Sequence, residues 1–154
     1  MAVYFFDSSA IVKRYVTETG TAWVLPLVDP RANNHIHLAR ITGVEVIAAI
    51  TKRNREGSLA PNDAVTAIAD FRYDFGTAYR IVDITPGLIA SAMQLAEIYV
   101  LKGYDAVQLA AALDVNAHTL SLGLPAVTLV SADSGLNKAA VASGLTTDDP
   151  NAHP

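Results

Sequence analysis

Four acids stand where this chain has few other groups able to do chemistry. Asp7 closes the apolar run "AVYFF", and Asp133 comes two residues after "AVTLVS". Glu45, in "ITGVEVIAAITKR", and Asp105, in "LKGYDAVQLAAAL", each fall in the first turn of a helical stretch. Carboxylates with a few hydroxyls nearby, no cysteine and no clustered histidine make a hard oxygen donor set, which suits Mg²⁺ or Mn²⁺. Simpler roles exist for each acid. "TGVE" matches a capping box with Glu45 at its third position, Asp7 and Asp133 are placed to cap helices, and Asp105 suits a helix N-terminus. Capping does not explain why Asp105 sits among Ala, Leu and Val. Charge on such a surface is costly unless it is paired or holds a cation. Its helical stripe of Gln108, Leu109 and Ala112 offers no cation.

Other chemistries lack their residues. With no Cys there is neither disulfide nor thiolate metal site, and a reducing cytoplasm is the expected location. No GxSxG nucleophile motif, P-loop or GxGxxG is present. His35 and His37 lie on one side of a strand, as a solvated or partner-facing pair would. Lys52 is two turns from Glu45 on nearly the same helix face, roughly 10 Å along the axis. It and Arg55 are the candidate contacts to a phosphate near the acids. Phe71, Tyr73, Phe75 and Tyr79 read as core or interface.

The elements that must position the acids follow from periodicity and breakers. Strands are expected at 2–6, 35–39, 79–84 and 126–131, with a short one near Leu145. Helices are expected over 8–15, 20–28, 42–56, 62–78, 86–99, 104–120 and 133–142, with Gly57 and Pro86 as punctuation. Alternating strands and helices predict a parallel sheet covered on both faces, and the strand C-termini are where such sheets place their sites. The 154 residues are 51% hydrophobic and 17% charged, enough for one domain with a proper core over 1–146. Residues 147–154, "TDDPNAHP", read as a flexible tail. "MAVYFFD" lacks the basic start of a secretory leader, and no uncharged run is long enough to span a bilayer, so no membrane association is expected. The net charge of −4 argues against coating nucleic acid by bulk electrostatics, though not against an enzyme with a local basic patch.

In order and spacing, "FFDSSAIVKRYVTETG", "ITGVEVIAAITKR", "LKGYDAVQLAAAL" and "LVSADSGLNKAA" resemble the PIN-domain family, and most of all its VapC-like toxins from toxin–antitoxin pairs. The resemblance spans nearly the whole chain. It implies a three-layer α/β/α sandwich around a central, mostly parallel, roughly five-stranded sheet. It also implies a metal site formed by Asp7, Glu45, Asp105 and Asp133, with Ser9 and Ser131 as the small polar residues beside the first and last acids. The implied activity is Mg²⁺-dependent cleavage of RNA, with Mn²⁺ able to substitute. A cognate antitoxin would inhibit it, and the chain would often pair as a homodimer. Gln108 departs from the pattern, since relatives often carry His there, so substrate contacts are expected to differ. Two other classes compete: a catalytically silent binding protein of the same fold, and a phospho-acceptor signalling domain. The latter usually wants paired acids after the first strand and a Lys after a late one, where this chain has "DSS" and "SADSG".

Overall fold

The computed structural model describes residues Met1–Pro154. Five short strands form one sheet: β1 (Val3–Phe6), β2 (His35–Ala39), β3 (Arg80–Val82), β4 (Val127–Val130) and β5 (Thr146–Asp148). Their order is β3-β2-β1-β4-β5 and every neighbouring pair is parallel. Strict alternation explains the layers. Val3 and Phe5 of β1, Ala39 of β2, and Val127 and Leu129 of β4 enter one apolar cluster. Phe6, Ile36, Leu38 and Val130 enter the other. A strand with both faces buried needs apolar residues at consecutive positions, as "VYFF" and "VTLV" supply.

Helices cover both faces. The first cluster lies under α5 (Pro86–Tyr99), α6 (Gly103–Ser121) and α7 (Ser134–Ala142). The second lies under α1 (Ser8–Ile11), α2 (Thr21–Val28), α3 (Thr42–Arg55) and α4 (Pro61–Thr77). The chain winds outward from β1 to β3, crosses back over the sheet through α5 and α6, and then winds outward through β4 and β5 on the other side. The direction of winding therefore reverses between β1 and β4, and open parallel sheets bind ligands at such a reversal. No helix is long and apolar enough to cross a membrane.

Two expectations need correction. The edge strand β3 is only three residues long, because it has a single neighbour and its residues are exposed or half-buried. The expected flexible tail is folded. Thr146–Asp148 pairs with β4, Pro150 is buried in a short 3-10 turn, and His153 stacks on Trp23 with ring centroids 4.3 Å apart. The buried Lys13 ammonium donates to Glu18 Oε1, the Thr19 carbonyl and Asn151 Oδ1 at 3.1, 2.9 and 2.9 Å, which fastens this end to the turn after α1. Composition concealed this, because polar tail residues here satisfy buried groups of the first twenty. Gly20 is the contact point. Its φ is +87°, and a Cβ there would lie 2.4 Å from the Pro150 carbonyl oxygen. Gly20→Ala should cost at least about 1–2 kcal/mol in urea unfolding, from the left-handed backbone alone. It should also make the C-terminus more open to limited proteolysis. Unchanged stability and cleavage would mean that the clasp contributes nothing.

Candidate active site

The site is built at the β1/β4 reversal. Asp7 follows β1 directly and is 3% exposed. Its backbone N–H continues the sheet by donating to the Val130 carbonyl at 3.1 Å. Its carboxylate caps α1, with Oδ1 accepting from Ala10 N at 3.0 Å and from Ser9 Oγ at 2.7 Å, while Oδ2 accepts from Ser131 Oγ at 2.7 Å. Ser131 in turn accepts from Asp133 N at 3.0 Å, and Ser9 from Ala132 N at 2.9 Å. These two serines therefore stitch the end of β1 to the end of β4. Burial pushes the Asp7 pKa up to about 6, partly countered by the Ser131, Ser9 and Ala10 hydrogen bonds and reinforced by the nearby Asp105 charge. Asp133 caps α7, with Oδ1 accepting from Leu136 N at 2.8 Å.

Glu45 does not form the capping box that its sequence suggested. The residue before α3 is Ile41, which has no capping side chain. Both Glu45 oxygens are instead held from other helices: Oε2 accepts from Ser8 Oγ at 3.1 Å and Oε1 from Gln108 Nε2 at 2.9 Å. Asp105 is half-buried rather than enclosed, because the apolar surface of α6 begins with Ala106, one residue later. Its pKa is raised, first by burial, then by the charges of Asp133 and Glu45, against the pull of Lys102. It gains no hydrogen bond.

The four acids thus share one electrostatic neighbourhood, with Asp105 in the middle. They do not close on a point: no three acid or histidine side chains are gathered tightly enough to hold a metal ion. Hydroxyl and amide donors hold Asp7 and Glu45 where they stand. The residues nevertheless fit a hard cation in their chemistry. All four offer only oxygen. None takes part in any of the six ion pairs of the chain, and every hydrogen-bond donor to Asp7 and Glu45 is neutral. A buried carboxylate left without a cation is costly, and a bound divalent ion would relieve it. Asp105, and the second oxygen of Asp133, hold the unused lone pairs.

Other expectations separate here. Ser9 and Ser131 lie beside the first and last acids, as the resemblance implies. Lys52 and Arg55 are not brought to the acids; both are exposed towards the far end of α3, and Lys52 faces Glu56 at 3.8 Å. His35 accepts from the Arg80 guanidinium at 3.3 Å where β2 and β3 begin, at the end of the strands opposite the acids. Sequence reasoning missed Ser8, Thr42, Asn137 and Lys102. Asn137 was legible in principle, four residues after Asp133 on the same helix face; its Nδ2 donates to the Ser131 carbonyl at 2.8 Å. Nothing local distinguished Ser8 from Ser9.

The chain belongs to the PIN-domain family, whose model matches residues 4–142. It is 33% identical over 144 residues to Ribonuclease VapC45 of Mycobacterium tuberculosis, covering 94% of this chain and 93% of that one. The fold is similar to that of VapBC2 from Rickettsia felis bound to a DNA fragment from its promoter. There the TM-score is 0.63 at 14% identity, over 96% of this chain and 98% of that one. It is also similar to a toxin–antitoxin complex from Klebsiella pneumoniae, with TM-score 0.54 at 18% identity, over 85% of this chain and 87% of that one.

Proposed function

We propose that this protein is a Mg²⁺-dependent endoribonuclease and the toxin of a VapBC-type pair, acting in the cytoplasm. The observation that carries the reading is the unpaired acid quartet at the β1/β4 reversal, held only by neutral donors. The named ribonuclease at 33% identity supports it. Asp105 and Asp133 would hold the ion with their free oxygens, while Asp7 and Glu45, already oriented by Ser9, Ser131, Ser8 and Gln108, complete the negative surround. A bound Mg²⁺ supplies a lowered water pKa and neutralises charge developing on a phosphate. In-line hydrolysis would leave a 5′-phosphate and a 3′-hydroxyl. RNA would enter as a single strand or loop, since a paired A-form helix hides its base edges.

Purified protein freed of any partner should cleave RNA in Mg²⁺ or Mn²⁺ and not in EDTA. Asp105→Asn should lower the rate by at least ~100-fold, the usual order when one electrostatic group aimed at the reacting atoms is lost. Full activity in EDTA, or in Asp105→Asn, refutes the reading. A second reading, a silent binding protein of this fold, is favoured by the carboxylates not being gathered; RNA binding without cleavage in the same assay would establish it.

Lys52 and Arg55 would then serve phosphates flanking the cut. Lys52→Glu should flatten the salt dependence of RNA binding, because each phosphate contact releases counterions. An unaltered slope assigns this cluster to helix termination.

An antitoxin would find a fitting surface on the α3/α4 side of the fold. A cleft of about 630 Å³ between α3 and α4 is lined by Val44, Ile47, Phe71 and Phe75, with Arg40 and Arg72 among the lining. It suits an apolar segment carrying acidic residues. Val44 is 66% exposed, so Val44→Glu should leave folding intact while weakening co-purification with the product of the neighbouring gene. A second copy of the chain would cover Ile89, Met93, Ile98 and Val100, which α5 and its end expose. A monomeric mass in light scattering would exclude that pairing.

A further inference from the structure

Gln108 is 2% exposed in the middle of the apolar face of α6. Its amide nitrogen spends both hydrogens on α3: one on Thr42 Oγ1 and one on Glu45 Oε1, each at 2.9 Å. The partners fix the amide's orientation. A carboxylate can only accept, so the atom facing Glu45 is the nitrogen. The amide oxygen is consequently turned away, and it is buried without any partner. An unsatisfied buried acceptor is costly, and a leucine would fill this space without that cost. Core packing therefore does not account for the residue, whereas the two bonds to α3 do. Thr42 and Glu45 are three residues apart, so the amide grips two successive points on one helix face and fixes the Glu45 carboxylate relative to α6, which carries Asp105. It does so without charge. An arginine or lysine in its place would orient Glu45 equally well but would itself neutralise the acid surround.

We infer that Gln108 is a positioning residue for the divalent cation: it orients Glu45 while leaving the full negative charge of the acid quartet available to the ion. The inference rests on the metal-dependent reading above and adds to it a division of labour between α6 positions 105 and 108. Groups that orient metal-site carboxylates typically change metal affinity by 10–100-fold when removed.

The test is Mn²⁺ binding, followed by the electron paramagnetic resonance of the free ion, on wild type, Gln108→Met, Glu45→Gln and the double variant. Methionine keeps the length and helix preference of glutamine and removes the donor. Gln108→Met should fold and bind Mn²⁺ at least ~10-fold more weakly than wild type. In the Glu45→Gln background the same change should cost almost nothing further, because its effect passes through Glu45. Wild-type affinity in folded Gln108→Met overturns the proposal, as do losses that simply multiply in the double variant. Should Gln108→Met not fold, Thr42→Val removes one of the two anchors at constant shape; it should weaken Mn²⁺ binding, and undiminished affinity there also overturns the proposal. If wild type binds no Mn²⁺, the metal reading falls and this proposal with it, an outcome distinct from a wild type that binds and a Gln108→Met that binds equally well.

Discussion

Asp7→Asn should be more stable than wild type in EDTA at pH 7, by roughly 3 kcal/mol, and the advantage should vanish below about pH 3. Burial raises the Asp7 pKa from 3.8 to about 6. The folded chain therefore holds this proton more tightly than the unfolded chain does. The stability that Asp7 contributes is complete below the unfolded value and is lost as pH rises through the folded one. Each tenfold gain in proton affinity is worth about 1.36 kcal/mol, which gives the size of the effect. Asparagine resembles the protonated acid and keeps the oxygen that caps α1, so it escapes the loss. His37 acts in the opposite sense. Burial lowers its pKa from 6.5 to about 4, so its contribution is complete above the unfolded value and declines as pH falls. It is common to both proteins and drops out of their difference. Urea unfolding at several pH values measures that difference. A variant less stable than wild type at pH 7, by an amount independent of pH, would reduce Asp7 to a helix cap.

For Asp105 the expected result is a crossing of two melting series. Asp105→Asn should melt higher than wild type in EDTA, by the few tenths to about 1 kcal/mol typical of a partly exposed charge interaction. Addition of Mg²⁺ should then raise wild type above the variant, since an ion that binds only the folded state stabilises it in proportion to its occupancy. The sign separates the roles. Asp105 sits amid like charges and accepts no hydrogen bond, so its removal relieves repulsion. A charge kept for the helix dipole would give the reverse in EDTA, a loss of about 0.3–1 kcal/mol, and no change in the response to metal.

Much of this architecture was readable because the residues that build it are local. "VYFF" and "VTLV" can serve only as strands buried on both faces, and Asp7 and Asp133 mark their ends by position in the chain. What the sequence hid was which side chain answers which across the fold. Glu45 belonged to a plausible capping box, yet its partners are Ser8, 37 residues away, and Gln108, 63 residues away. Gln108 looked like a substitution of uncertain consequence on an apolar stripe; only the approach of α6 to α3 gives its amide two acceptors. Lys52 shares a helix face with Glu45, but it lies in the last turns of α3 facing Glu56, and spacing along one helix does not say which neighbour a flexible side chain takes. Composition also misjudged the tail, whose polar residues complete the surroundings of Lys13.

The bond between Ser131 and Asp7 spans 124 residues of chain. A ribosome adding about 5–20 residues per second makes Asp7 roughly 6–25 s before it makes the serine that holds it. Strand β4, which carries the rest of the reversal, is also late. Throughout that interval β1 can pair only with β2, the fourth acid is absent, and the third is missing until residue 105 has been added. A half-made chain therefore cannot assemble the four-acid site, which comes together only once synthesis is nearly finished.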